Sequence, residues 1–397
     1  MFEYVLLAAL FFTLIAGFIL GRKSVKNSYG RHRLSSDHSL NYYKGLSYLF
    51  NEQPDNAIDA FINSLDVTPD TLETHLALGN MLRRRGEVTK AIKIHQNLLA
   101  RPSLSPLQLQ EAQLELARDY MKSGLLDRAE SLLLELVKIS SQYRLRALKY
   151  LIEVYQDEKE WGKAIRMAEQ LNTKRYQAKN GSGYSETLAH FACEQACVDM
   201  EVRQYSQARH QLAAALRYDK NSVRASLLLA QLEFNLGRYQ EALKYLHKIP
   251  QQDSELLTEA LPLICDCYDK LSEQSRLLDY LFELLQLYPS HSLTLKIAER
   301  LRWQENDIAA ANFIASQLKQ RPGIRTLNRL IELYLPSSTG QARENLHLLK
   351  QLVDQVIAEK PGYCCNNCGF TGNVLHWLCP GCKTWGSVRP IRGVAGE

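Results

Sequence analysis

Three features of the 397-residue sequence predict an all-α solenoid of helical hairpins with an N-terminal transmembrane helix and a small C-terminal metal ribbon. The first is an uncharged, mostly apolar run from Tyr4 to Leu20. The second is a small residue followed twelve positions later by alanine, an offset that recurs at intervals of about 34 residues. The third is the crowding of five of the nine cysteines between Tyr363 and Trp385. A composition of 46% hydrophobic and 23% charged residues is that of an ordered chain. The formal charge of +5 is small for this length, so no nucleic-acid partner is expected.

As a helix, the 17 residues from Tyr4 to Leu20 rise roughly 26 Å, near the short end of what spans a bilayer. Glu3 precedes the run, whereas Arg22, Lys23, Lys26, Arg31 and Arg33 follow it. A cleaved signal peptide shows the opposite order, so residues 1–21 read as a transmembrane anchor and 22–37 as a basic juxtamembrane linker. Positive charge after the span places the rest of the chain in the cytoplasm.

The repeated offset joins Gly45 to Ala57, Gly79 to Ala91, Ala117 to Ala129, Ala196 to Ala208, Ala230 to Ala242 and Ala298 to Ala310. Glycine marks a turn between the two positions at Gly86, Gly124 and Gly237, and the flanks carry apolar residues at helical spacing. Each unit is therefore a helix, a tight turn and a second helix. "LALGNMLRRRGEVTKAIKIHQNLL" and "LLLAQLEFNLGRYQEALKYLHKI" resemble the tetratricopeptide repeat (TPR) family, which makes the array a TPR solenoid. Weaker copies surround Ile152 and Ala164, and Cys265 with Tyr268, the latter closed by Pro289. Eight repeats over 38–322 and capping helices over 323–360 are expected, with a long surface loop from Lys179 to Ser185. Such an array holds other proteins in a groove and has no catalytic pocket. On the repeat family's pattern the groove-facing positions are Asn80, Arg83, Arg84, Arg118 and Lys122, a basic set suited to an acidic partner segment or simply a solvated face. His75 and His95 read as core histidines, and Cys193, Cys197, Cys265 and Cys267 as buried small hydrophobes.

Residues 361–397 form the metal module. Cys365-x2-Cys368 and Cys379-x2-Cys382 are two knuckles ten residues apart, each aiming two thiolates at one point, with Gly369 and Gly381 easing the backbone. Cys364 is surplus, and His376 finds the shell already filled by four cysteines. So small a module needs the ion as a structural staple, around which Phe370, Trp377 and Trp385 would pack. Thiolate tetrahedra accept zinc or iron. "CNNCGF" and "CPGC" resemble rubredoxin knuckles, a likeness that favours iron, although the loop between the knuckles is much shorter than in rubredoxin.

Taken together, the apolar start, "RLSSDHSLNYYKGLSYLF", "GNMLRRRGEVTKAIKIHQ" and "CNNCGF…LHWLCPGCKTWGSVRPIRG" resemble the lipopolysaccharide assembly protein B family over nearly the whole chain. The resemblance implies a non-enzymatic adaptor in the inner membrane of a Gram-negative bacterium. It also implies that the adaptor promotes degradation of the deacetylase LpxC by the protease FtsH, beside other inner-membrane lipopolysaccharide assembly proteins. The metal ligands it implies are Cys365, Cys368, Cys379 and Cys382, and it leaves a homodimer open. Two other readings of the residues are an electron-transfer protein with a rubredoxin-type iron site, and a nucleic-acid ribbon using Lys383, Arg389 and Arg392.

Overall fold

A computed structural model describes residues 47–48, 71–102, 104–172, 184–394 and 396. The apolar run, the basic linker, the repeat around Gly45 and Ala57 and most of the Lys179–Ser185 loop lie outside the described residues. Among the described residues no helix is long and apolar enough to cross a membrane. The chain divides into two compact units, Met1–Glu158 and Lys159–Glu397. That division cuts the predicted array and joins its later repeats to the cap and the ribbon.

The first unit contains α1 (Leu72–Arg84), α2 (Val88–Leu99), α3 (Pro106–Ser123), α4 (Leu126–Ile139) and α5 (Arg144–Asp157). The start of α3 is set by local chemistry: the Ser105 hydroxyl accepts from the Gln108 N–H, the Gln108 side chain returns the bond, and Pro106 takes the first turn. At its other end Gly124 is left-handed, with φ 76°. Gly79, Ala91, Ala117 and Ala129 are buried where helices meet, and a Cβ on Gly79 would run into the His95 ring. His75 and His95 are both buried, as core histidines should be.

The second unit begins with α6 (Trp161–Leu171), followed by α7 (Ser185–Glu201), α8 (Tyr205–Tyr218), α9 (Val223–Asn235) and α10 (Tyr239–Leu246). A short α11 (Ile249–Gln252) and a 3₁₀ turn (Ser254–Leu256) lead into α12 (Leu257–Leu271), α13 (Gln274–Leu287), α14 (His291–Gln304) and α15 (Asp307–Gln320). The last two helices are α16 (Ile324–Tyr334) and α17 (Gly340–Ala358). Ala196, Ala208, Ala230, Ala242, Ala298 and Ala310 are all buried, and Cys265 and Leu277 occupy the same two slots in their repeat. The turn inside six of the hairpins carries a left-handed residue five positions before the second slot, whereas Glu305, at that position between α14 and α15, stands at φ −117°. Glycine supplies it at Gly86, Gly124 and Gly237; Lys159, Arg203 and Ser272 adopt it elsewhere, with φ between 58° and 62°.

The ribbon is a three-stranded antiparallel sheet in the order β2-β1-β3, with β1 (Tyr363–Cys365), β2 (Thr371–Gly372) and β3 (Val388–Pro390). Tyr363, Phe370 and Leu375 pack on Cys365, Cys379 and Val388 to form its small core. The ribbon lies on the second unit's own helices: Tyr363 Oη donates to Glu259 at 2.6 Å, and Arg389 pairs with Asp253. Trp377 and Trp385 point away from the knuckles, against expectation. Trp385 stacks on His190 at 4.9 Å and meets Phe191 and Trp161 edge-on, while Trp377 packs on the helical core. An indole buries far more apolar surface on the array than a small ribbon can offer it.

Candidate metal centre

Each knuckle is the same backbone device. In the first, Cys365 N–H donates to Phe370 O and Gly369 N–H to Cys365 O, at 2.7 and 2.9 Å. In the second, Cys379 N–H donates to Thr384 O and Lys383 N–H to Cys379 O, at 3.1 and 2.9 Å. The fifth residue of each is left-handed: Gly369 at φ 77° and Lys383 at φ 54°. Gly381, expected to relieve the second turn, does so by size instead. Its ideal Cβ would stand 3.3 Å from Cys368 Sγ, so a side chain there would press on a sulfur.

These turns bring the four Sγ atoms of Cys365, Cys368, Cys379 and Cys382 within 4.8 Å of one another. Two of the separations are 3.7 Å, Cys365 to Cys382, and 3.6 Å, Cys368 to Cys379. Four thiolates around a tetrahedral ion at about 2.3 Å stand about 3.8 Å apart, so the cluster has the size of a metal–sulfur tetrahedron. One metal ion fits, and the donors do not distinguish zinc from iron. Hydroxyls favour the thiolate form: Ser387 Oγ lies 3.3 Å from Cys365 Sγ and Thr384 Oγ1 lies 3.3 Å from Cys382 Sγ. The Ser387 bond lowers the Cys365 pKa, and the Thr384 bond brings Cys382 down to about 5. Cys368 moves the other way, to about 12: the Phe370 N–H lowers it, but burial and the three neighbouring sulfurs outweigh that bond. Like charges at this distance hold the last proton until a cation replaces it.

Cys364 and His376 stand outside this group, which is the one such cluster among the described residues. The other cysteines behave as apolar packing. Burial raises the Cys193 thiol to about 12 and Cys267 to about 11, and it also raises Cys197 and Cys265. Four protein sulfurs would complete the tetrahedron of a bound ion and leave it no position for a substrate, the arrangement of a structural or electron-transfer site.

A family of rubredoxin metal binding domains matches residues 363–390, and a tetratricopeptide repeat family matches 42–104 and 193–255. Lipopolysaccharide assembly protein B of Escherichia coli strain K12 is 34% identical over 384 residues, covering 96% of each chain. Its namesake in Haemophilus influenzae is 32% identical, over 94% of this chain and 95% of its own. The chain belongs to the lipopolysaccharide assembly protein B family. Among solved structures, a tetratricopeptide repeat protein from Parabacteroides merdae aligns over 72% of this chain and 99% of its own, at 16% identity and a TM-score of 0.33.

The basic groove expected of this family member is largely neutralised. Arg83 is buried, donating to Asp119 Oδ1 at 2.7 Å and Glu115 Oε2 at 2.8 Å as well as to Asn80. Arg118 donates to both Glu115 oxygens, at 2.9 and 2.8 Å, and His95 Nδ1 lies 2.5 Å from Asp119 Oδ2. Asn80, Arg83 and Arg118 are therefore parts of an internal ion network: the next helix supplies Glu115 and Asp119 to Arg83, and Glu115 also satisfies Arg118 from its own helix, three residues earlier. Arg84 and Lys122 are exposed and carry no ion pair among the described residues. Sequence reasoning missed Thr384, although a hydroxyl two residues past Cys382 was there to be read, and Ser387, which stands 22 positions beyond the Cys365 it contacts. It also missed Arg224 and His190, which no local pattern connects to the ribbon.

Proposed function

We propose that the chain is a non-catalytic, membrane-tethered adaptor in lipopolysaccharide assembly, lowering the amount of the deacetylase LpxC by presenting it to the protease FtsH at the inner membrane. The observation that carries this reading is the 34% identity with lipopolysaccharide assembly protein B over 96% of both chains, through the repeats and the four-cysteine ribbon alike. Physical features support the rest. Repeats of helical hairpins offer protein-holding surfaces, and a tetrahedron filled by protein sulfurs acts as a staple. The run from Tyr4 to Leu20, followed by five cations, supports an anchor with the repeats on the cytoplasmic side. Tethering beside an integral protease raises the effective concentration of a captured client.

The test is the half-life of LpxC in cells depleted of this protein, and in cells carrying a form without residues 1–21. Depletion is expected to lengthen it, and the untethered form is expected not to restore it. An unchanged half-life on depletion would remove the adaptor reading and leave electron transfer at an iron site as the better account.

A further inference from the structure

Where the ribbon lies on the helices, a cleft of about 240 Å³ opens between Trp377 and Trp385 on one side and α7, α9 and the loop before α9 on the other. Three polar atoms on residues of its walls have no hydrogen-bond partner among the described residues: His190 Nδ1, Arg224 Nη1 and Gln252 Oε1. The His190 and Arg224 side chains are more than nine-tenths buried, with relative exposures of 9% and 8%. The other arm of Arg224, Nη2, donates to Glu194 at 2.8 Å, and the guanidinium lies 5.7 and 5.6 Å from the Trp377 and Trp385 rings. A guanidinium with one arm satisfied and the other desolvated is held at a cost until an acceptor arrives.

Charge at the mouth decides what kind of acceptor. Arg224 and Arg389 are each already paired, with Glu194 and Asp253. Glu186 and Asp219 also line the cleft, and neither has a cationic partner among the described residues. Excess negative charge at the rim opposes a phosphate or an acidic side chain. A neutral carbonyl can take the Arg224 bond without adding charge, and cations or N–H groups beside it would meet the two carboxylates. The indoles offer flat apolar surface for the aliphatic parts of such a ligand.

We propose that this cleft binds a basic, extended segment of a partner protein, seating a backbone carbonyl on Arg224 and His190 and a lysine or arginine against Glu186 and Asp219. The site joins ribbon to repeats, so it exists only while the ribbon is folded and docked. The inference rests on the adaptor reading for its biological use alone, since binding is measured on purified protein and the client's half-life is measured in cells.

The experiment titrates the metal-loaded full chain in detergent with acetyl-Leu-Lys-Leu-amide or acetyl-Leu-Glu-Leu-amide, following the indole N–H signals of Trp377 and Trp385. The lysine peptide is expected to shift both signals saturably and to bind about tenfold more tightly than the glutamate peptide, a difference of about 1.4 kcal/mol. The double variant Glu186→Gln, Asp219→Asn is expected to erase that preference without disturbing the fold. Arg224→Lys keeps the charge, loses the Nη1 donor and is expected to weaken both peptides about tenfold. If Arg224→Lys loosens the ribbon, the rim variant still decides the matter. No indole shift with either peptide, equal binding of the two, or a preference for glutamate would each overturn the proposal.

Discussion

Arg203 and Ser272 hold a left-handed conformation that costs a side-chain-bearing residue about 1–2 kcal/mol. Glycine removes that cost and gives back part of it as unfolded-state entropy, so Arg203→Gly and Ser272→Gly are each expected to stabilise by about 0.5–1 kcal/mol. Gly237→Ala, at φ 74°, is expected to lose at least as much. Urea midpoints of the three variants check both signs. In the ribbon the decisive comparison is between neighbours. Cys365→Ser removes a donor from the cluster and is expected to abolish metal binding, whereas Cys364→Ser, outside it, is expected to keep one ion per chain. Metal analysis of the purified variants settles the assignment, and loss of metal from Cys364→Ser alone would reverse it.

Helices and knuckles were legible in the sequence because their determinants are local. A twelve-residue offset between small residues fixes a hairpin, and two Cys-x2-Cys spacings fix a tetrahedron. What escaped was whatever depends on the neighbouring element. Arg83 reads as a groove cation because nothing near it in sequence shows that Glu115 and Asp119 would meet it, whereas the Glu115–Arg118 pair, three residues apart on one helix, was there to be read. Trp377 and Trp385 were assigned to the metal by proximity along the chain, yet their rings lie on α7 and α9, whose Arg224 is more than 150 positions upstream of both. Gly381 was credited with a turn that Lys383 makes. Removing the ion with a chelator is expected to free the second knuckle and with it both indoles. Tryptophan emission should then move to longer wavelength while the helical signal stays nearly constant. An unchanged emission spectrum in the metal-free chain would mean that the ribbon remains docked without its ion.

Acid acts on the two units through different groups. In the first, burial raises the Glu115 pKa, but the hydrogen bond from Arg83 and the charge of Arg118 leave it below its ordinary 4.5. Its contribution is therefore complete above that value and is lost as the pH falls through the lower folded value. In the second, burial, with Arg224 and Arg389, depresses His190 from 6.5 to about 3. The unfolded chain takes up that proton first, so stability is expected to decline as pH falls from 6.5 towards 3, by up to about 1.4 kcal/mol per pH unit. His190→Gln should lack that component when melting temperatures are compared across the upper part of the window. The long reach of the ribbon has another consequence, in the order of synthesis. Arg389 bonds to Asp253 across 136 positions, and Tyr363 to Glu259 across 104. Hairpin repeats can fold one after another as they leave the ribosome, since each needs its neighbours alone. Trp161, Phe191 and Arg224 must then wait, uncovered, until the second knuckle has emerged and found its metal. A chain stopped short of Trp377 would leave the side chains that stack on the two indoles without their cover.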